Sequence, residues 1–491
     1  MDQTRRSQRR TKQPGPAPAS TDRMPTPFDY VLDIWERMGQ IGELWWTRHG
    51  GNPSAEVAAH RLQRLVDFAR GASPFYRRLY AGVPRGPVRL ERLPIVTKSE
   101  LMANFESACT DPAIRLKNVE RFLADRARIG ATFLGKYHVW KSSGSSGTPA
   151  IFLQDRHAMG VYDALVAAQI DAAAFDPAGV ARLAACAGRA ALVVATGDHY
   201  ASITSWEHVR RAFPGVETRS FSVLDPLPKL VRELNAFKPA ILAGYPSILA
   251  LLAAERAAGR LRITPALLWS GGEGLGEAAR EAIEAAFHCR VMNEYGASEC
   301  LSIAYECPEG WMHVNSEWVI LEGVDAHGKP TEPGEISHTV LVTNLANWVQ
   351  PIIRYDLGDR MMTLPTACAC GNPLPAMRIE GRSDELVALR TRAGKIVRLP
   401  PLALSTVLEE AAGEHRFQVE RAAPDHLVIR MDNEGTPRQR AARRKLAQEA
   451  LRGYLAAQSL PDVRLTFGRD PPRLDPASGK LRSVIVAKHA G

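Results

Sequence analysis

Eight consecutive residues, Ser142-Ser143-Gly144-Ser145-Ser146-Gly147-Thr148-Pro149, concentrate hydroxyls and glycines in one short stretch. Glycine lets the backbone turn successive N–H groups toward one point, and the serines and threonine add hydroxyl donors around it. That is the chemistry of a loop that wraps a polyphosphate. Val139-Trp140 precede the loop and Ile151-Phe152-Leu153 follow it, so the spacing predicts a strand–loop–strand unit. It is therefore not the Gly-x-x-x-x-Gly-Lys-Ser/Thr loop that opens a helix in nucleotide-hydrolysing folds. A plain Ser/Gly linker is the alternative, and the rest of the chain argues against it.

A second set of donors points to a metal. Cys307 and His313 flank a turn containing Pro308-Glu309-Gly310, and Cys368-Ala369-Cys370-Gly371 follows later in the chain. Three thiols and one imidazole suit a tetrahedral structural zinc. The spacing matches no standard finger, and Cys300 competes for a place. Buried cysteines without a ligand are the alternative.

Such residues need rigid elements behind them. From about residue 156 helix and strand alternate: an amphipathic stretch over 156–174, an apolar run over 191–195, then helix 227–237 and strand 239–243. Pro246 opens a helix to about 257, followed by strand 266–269, helix 276–287 and strand 290–292. Repeated β-α-β units predict a parallel sheet covered by helices, with ligands beyond the carboxyl ends of its strands. Three loops fall at such ends: Gly244–Ser247, Ser270–Gly274 and Asn293–Glu299.

After residue 316 short strands with Gly/Pro turns run to about Arg382. A hairpin over 386–398, a helix near 402–411, strands 416–421 and 426–431, helix 437–457 and strand 463–467 then form a small unit. The expected fold is α/β, with a large N-terminal domain of parallel sheets and helices plus a β-rich subdomain over 27–382. A small mobile α+β C-terminal domain over 383–491 completes it. No internal repeat is present.

Composition narrows the function classes. The chain has 491 residues, 45% hydrophobic and 23% charged, ordinary for a globular enzyme of two to four domains. Its net charge of +9 owes much to residues 1–26, where Arg5, Arg6, Arg9, Arg10, Lys12 and Arg23 face only Asp2 and Asp22. That polar, Pro-rich tail reads as disordered, with an Arg-rich organelle presequence as the lesser alternative. The basic helix 437–457 reads as a solvated face, and no nucleic-acid motif accompanies it. No apolar run is long enough for a membrane span and no signal-peptide pattern is seen, which points to the cytosol. Seven scattered cysteines do not form a disulfide framework.

Taken in order, Ser142–Pro149, Ser270–Leu275, Asn293–Glu299, Arg354–Asp359, Gly381–Glu385 and Ser478-Gly479-Lys480 resemble the motifs of the adenylate-forming superfamily. Ser73–Arg77 and Leu93–Lys98 are similar to elements of its phenylacetate–coenzyme A ligase-like branch. The resemblance spans roughly residues 28–486. It implies that a carboxylate attacks the α-phosphate of ATP, giving an acyl-adenylate and pyrophosphate, after which a thiol displaces AMP. Bringing two anions together makes charge neutralisation and alignment the main tasks.

By this resemblance Ser142, Ser143, Gly144, Ser145, Ser146, Gly147 and Thr148 would hold the β- and γ-phosphates. Glu299 would coordinate Mg²⁺, a hard cation needing oxygen ligands, and Ser298 would meet the α-phosphate. Many relatives carry threonine at that position. Gly272, Glu273, Glu294, Tyr295 and Gly296 would frame the adenine. Asp359 would accept from both ribose hydroxyls, as an acceptor-only carboxylate can, with Arg382 close to ribose or phosphate. Lys480 would be the mobile lysine of adenylation, and Asp384 the hinge. Similar Cys/His sets in the branch add weight to zinc.

The acid itself is less readable. The branch takes aromatic acids, and His199, Tyr245, Trp269 and Ala297 are candidate pocket residues, each equally consistent with ordinary packing. The thiol belongs either to coenzyme A or to the phosphopantetheine arm of an acyl carrier protein, which share a reactive end. An inert nucleotide-binding homologue is a further alternative, against which the intact Glu299, Asp359 and Lys480 argue. Relatives suggest a homodimer. Replacing Lys480 by alanine is expected to slow adenylation about 10²- to 10³-fold while sparing thioester formation from preformed acyl-adenylate. Equal loss of both steps, measured separately, would remove that assignment.

Overall fold

The computed structural model describes residues 38–48, 54–142, 149–170, 177–212, 215–380, 386–414, 416–433, 435–473 and 481–486. Ser143–Thr148, Arg382, Asp384 and Lys480 lie outside the described residues, as does the tail over 1–26.

The Ser/Gly loop leaves β1 (His138–Lys141) and returns on β2 (Ile151–Gln154), which pair antiparallel from His138↔Gln154 to Lys141↔Ile151. The expected strand–loop–strand unit is therefore present. Ser142 closes its base, its N–H donating to Ala150 O (2.9 Å) and its Oγ accepting from Ala150 N (2.9 Å).

The main sheet has nine strands in the order β13-β14-β9-β8-β7-β6-β5-β3-β4. Its parallel half comprises β3 (Ala190–Val194), β4 (Thr218–Ser222), β5 (Ile241–Gly244), β6 (Leu267–Gly271) and β7 (Val291–Ala297). The helices Leu227–Phe237, Pro246–Ala257 and Glu277–Phe287 cross between these strands, within a residue of the expected bounds. Fully buried strands of this kind need continuous apolar runs, and Ala190–Val194 is buried at every position.

The antiparallel half differs from expectation. It begins not after residue 316 but at β8 (Cys300–Glu306), and continues through β9 (Met312–Val314), β13 (Arg360–Thr363) and β14 (Ala376–Glu380). Consequently Asn293–Ala297 is not loop. Antiparallel pairing with β8 (Glu294↔Tyr305, Tyr295↔Ala304) carries β7 past the end of the parallel sheet, leaving only Ser298 and Glu299 as the hairpin turn. The bulge in this hairpin falls between Tyr295 and Ala297, where a β-carbon on Gly296 would lie 1.9 Å from Leu301 O. Only glycine fits there.

A three-stranded antiparallel sheet, β10 (Val319–Val324), β11 (Thr339–Asn344) and β12 (Ile352–Asp356), stands beside this half and shares a core with the helix Ser54–Ala72. The C-terminal part builds a hairpin, β15 (Val387–Arg390) and β16 (Ile396–Leu399), and a four-stranded mixed sheet. That sheet has the order β19 (Arg464–Phe467), β18 (His426–Met431), β17 (Phe417–Ala423) and β20 (Val484–Val486). The helices Pro401–Ala412 and Pro437–Ala457 accompany it, the second opened by a Thr436–Gln439 capping box. No helix among the described residues is long and apolar enough to cross a membrane.

Candidate active site

One cavity of about 1540 Å³ opens where the carboxyl ends of β5 and β6 meet the β7–β8 turn, at the strand ends where ligands of parallel sheets gather. Its wall includes Ser142, Gly272, Glu273, Glu294, Tyr295, Gly296, Ala297, Ser298, Glu299 and Asp359. Tyr245 and Trp269 also line it, and so do Glu409 and Leu481 from the C-terminal part. Residues scattered over most of the chain thus converge on one space.

The side of the cavity expected to face the phosphates is built by two anchors. Trp140 Nε1 donates to Ser298 O (2.8 Å) and Asn344 Nδ2 to Glu299 O (3.1 Å), holding the two-residue turn beside the base of the Ser/Gly loop. Glu299 is 9% exposed, and burial raises its pKa, against the Tyr355 hydroxyl bond and the nearby Lys98 charge. Lys98 arrives by a separate route. Arg354, at a left-handed φ of 48°, is buried and donates from Nη1 to Leu93 O (2.6 Å) and from Nε to Glu322 Oε2 (3.0 Å). Val96 N then donates to Arg354 O (3.0 Å), clipping Leu93–Lys98 along β12. A Thr97–Glu100 capping box starts the helix Lys98–Ala103 at that point. Burial lowers the pKa of Lys98, although Glu299 and Glu409 both oppose the shift.

The residues expected to frame the nucleoside are already hydrogen-bonded within the protein. Tyr295 Oη donates to Asp359 Oδ2 (2.8 Å), so the expected stacking ring and ribose acceptor are direct neighbours. Asp359 follows a fixed turn: Asp356 Oδ1 accepts from Gly358 N (2.8 Å) and from Thr339 Oγ1 (2.5 Å). Gly272, at φ 80°, packs on Tyr245, whose Cε1 would be 3.1 Å from a β-carbon there. Glu273 Oε2 accepts from Ser247 N (3.1 Å) and so caps the helix Pro246–Ala257. Glu294 accepts from Ser302 Oγ (2.5 Å) and Trp269 Nε1 (3.1 Å), and burial lifts its pKa to about 7. Both acids are thus tied into the framework.

Of the four candidate pocket residues, Tyr245, Trp269 and Ala297 line the cavity and His199 does not. His199 is fully buried, its Nε2 3.0 Å from Asp125 O and its ring 5.6 Å from Phe122. It lies between β3 and the helix Ala201–Ala212, where its carbonyl accepts from Lys141 N (2.8 Å) and its ring is drawn into the core. Apolar side chains that sequence reading missed, Tyr162, Val166, Leu192 and Trp206 among them, line the cavity instead. Helical periodicity in Arg156–Gln169 marks the first two as one face, but not what that face borders.

The zinc candidates come together outside this cavity. Ligand atoms of Cys307, His313, Cys368 and Cys370 all lie within 4.8 Å of one another. Cys307 Sγ is 3.8 Å from Cys368 Sγ, and zinc–sulfur bonds of about 2.3 Å in a tetrahedron set sulfurs roughly 3.8 Å apart. His313 Nδ1 is 2.9 Å from Leu374 O, which leaves Nε2, 3.2 Å from Cys370 Sγ, turned to the cluster. Cys300 is elsewhere, buried in the core beside Tyr162.

Comparison with known proteins agrees with this architecture. No family model matches the chain. A phenylacetate–coenzyme A ligase of Thermus thermophilus is 26% identical over 351 residues, 67% of this chain and 70% of that protein. Protein CapK of Staphylococcus aureus is 29% identical over 131 residues, 26% of this chain and 28% of that one. Among solved structures, a 2-hydroxyisobutyryl-CoA ligase complex superposes with a TM-score of 0.52 at 20% identity, covering 89% of this chain and 90% of that one. Fold and sequence similarity together support an adenylate-forming enzyme. Within that superfamily the chain is similar in sequence to a phenylacetate–coenzyme A ligase, which supports an AMP-forming acid–thiol ligase of that branch.

Glu294 makes a testable point about pH. Its folded pKa near 7 lies above the ordinary carboxyl value, so the folded state binds its proton more tightly than the unfolded chain. That contribution is intact below the ordinary value and is lost as pH rises toward 7. Glu294→Gln removes the titration, so its melting temperature should gain on the wild type between pH 5 and 8. A gap that stays constant across that range would contradict the burial argument.

Proposed function

We propose that the chain activates an aromatic carboxylic acid with ATP and transfers the acyl group to coenzyme A. In the first half-reaction a carboxylate oxygen attacks the α-phosphorus and the bond to pyrophosphate breaks. In the second, the thiol sulfur attacks the acyl carbon, its proton is released and AMP departs. The observation that supports this reading is the convergence of Ser142, Ser298, Glu299, Tyr295 and Asp359, with Leu481 beside Lys480, on a single cavity. Apolar side chains such as Tyr162, Trp206 and Trp269 in the same wall favour an aryl group over a short polar acid.

In this reading Ser298 offers its hydroxyl to the α-phosphate, Asp359 accepts from the ribose, and Tyr295 stacks on the adenine. The loop Ser142–Thr148 and Lys98 receive the outer phosphates, and Lys480, with Arg382 nearby, neutralises charge at the reacting centre. Asp384 serves as the hinge between half-reactions. Glu299 would hold Mg²⁺, which when bound supplies charge neutralisation across phosphate oxygens. The buried Glu299 carboxyl suits this role, because a cation offsets a charge that burial disfavours. Cys307, His313, Cys368 and Cys370 would hold a structural zinc that staples β8 and β9 to the segment before β14.

Two experiments test these assignments. Pyrophosphate release is measured across a panel of aryl and short aliphatic acids, with and without coenzyme A. Aryl acids should give pyrophosphate and, with coenzyme A, thioester and AMP. Adenylate without thioester would instead indicate a carrier-protein acceptor, and no turnover with any acid would end the reading. For the metal, protein purified without chelator should carry about one zinc per chain, and Cys368→Ser should lose it with a lower melting temperature. Content well below one zinc would retire that site.

A further inference from the structure

The helix Pro401–Ala412 ends against its own electrostatics. Its last turn holds Glu409 and Glu410 and no basic residue, although the carboxyl end of a helix favours cations. Something other than helix stability keeps two acids there. Both reach across to the segment after β3. Glu410 Oε1 accepts from Gly197 N (3.1 Å), and Arg126 Nη2 donates to Glu410 O (3.1 Å). Tyr200 Oη donates to Glu409 Oε2 at 3.4 Å. Asp198, two residues before Tyr200, is held aside by Lys141 (2.5 Å).

Gly197 is shaped for this contact. A β-carbon on it would lie 1.7 Å from Glu410 Oε2 and 2.3 Å from its Cδ. Its φ is outside the left-handed region, so the backbone itself would accept another residue. A side chain there would displace the Glu410 carboxylate from Gly197 N rather than distort the turn. The same docked arrangement puts Leu481 and Glu409 into the wall that also holds Ser142, Glu299 and Asp359.

We propose that Gly197 and Glu410 are positioning residues, a notch and its insert, that latch the C-terminal part over the cavity for adenylation. The inference rests on the proposed two-step reaction, in which Lys480, next to Leu481, acts in the first step only. Opening the latch frees that part for the thiol-transfer step.

The test uses Gly197→Val, Glu410→Ala and the double variant in the full chain. Amide hydrogen exchange over 196–200 and 405–412 reports docking without reference to activity. Gly197→Val should lose protection in both segments. Its acid-dependent pyrophosphate release should fall by about tenfold or more, with thioester formation from preformed acyl-adenylate within about twofold of wild type. Glu410→Ala removes the insert and should show the same two losses, and the double variant should be no worse than either single one, because both changes break one contact. The latch is overturned if Gly197→Val or Glu410→Ala matches wild type in exchange, if both half-reactions fall equally, or if the losses of the two single variants add in the double. A wild-type protein that turns over no acid would sink the ligase reading alone, because exchange still reports on the notch.

Discussion

The structure depends on one strand being paired in two directions. β7 runs parallel to β6 on one side and antiparallel to β8 on the other. The parallel side brings the strand ends to a common edge, as in any open α/β sheet. The antiparallel side then carries the chain beyond that edge and turns it back at Ser298 and Glu299. A hydroxyl and a carboxyl are thereby held on a rigid hairpin rather than on a free loop. Gly296 is what makes the bend possible, since Leu301 O occupies the space of its missing side chain.

The cavity gathers more acid than base, and burial acts on several of the acids. Glu294 and Glu299 from the hairpin and Glu409 from the C-terminal part are all pushed toward their neutral forms by loss of water. Lys98 and Lys141 are the nearby cations that temper this. A site so arranged favours the arrival of positive charge and resists a bare polyanion. The proposed use of a divalent cation with the nucleotide is consistent with that balance, and so is a terminal lysine delivered only when needed.

Arg354 shows how the positioning is achieved. Its guanidinium is buried with Glu322 and takes two backbone carbonyls of the Glu91–Leu93 segment, in a strained backbone conformation. Within the motif Arg354–Asp359 it therefore does structural work, while Asp359 at the other end faces the cavity. A buried ion pair of this kind is costly to break on one side. It is the link between an N-terminal segment carrying Lys98 and the strand leading to Asp359.

Much of this was readable from residue order. Period and capping located the helices Leu227–Phe237, Pro246–Ala257 and Pro437–Ala457, because their apolar faces and opening prolines are local signals. The chemistry of the Ser/Gly loop and of the Cys/His set is likewise local, being a matter of donor types. What sequence alone did not decide was which direction a side chain faces once strands pair. His199 went to the core, Asn293–Ala297 became strand, and Lys98 and Glu409 entered the cavity from distant segments. Those outcomes depend on long-range pairing and on burial shared between separate parts of the chain. Neither leaves a mark in the spacing of neighbouring residues.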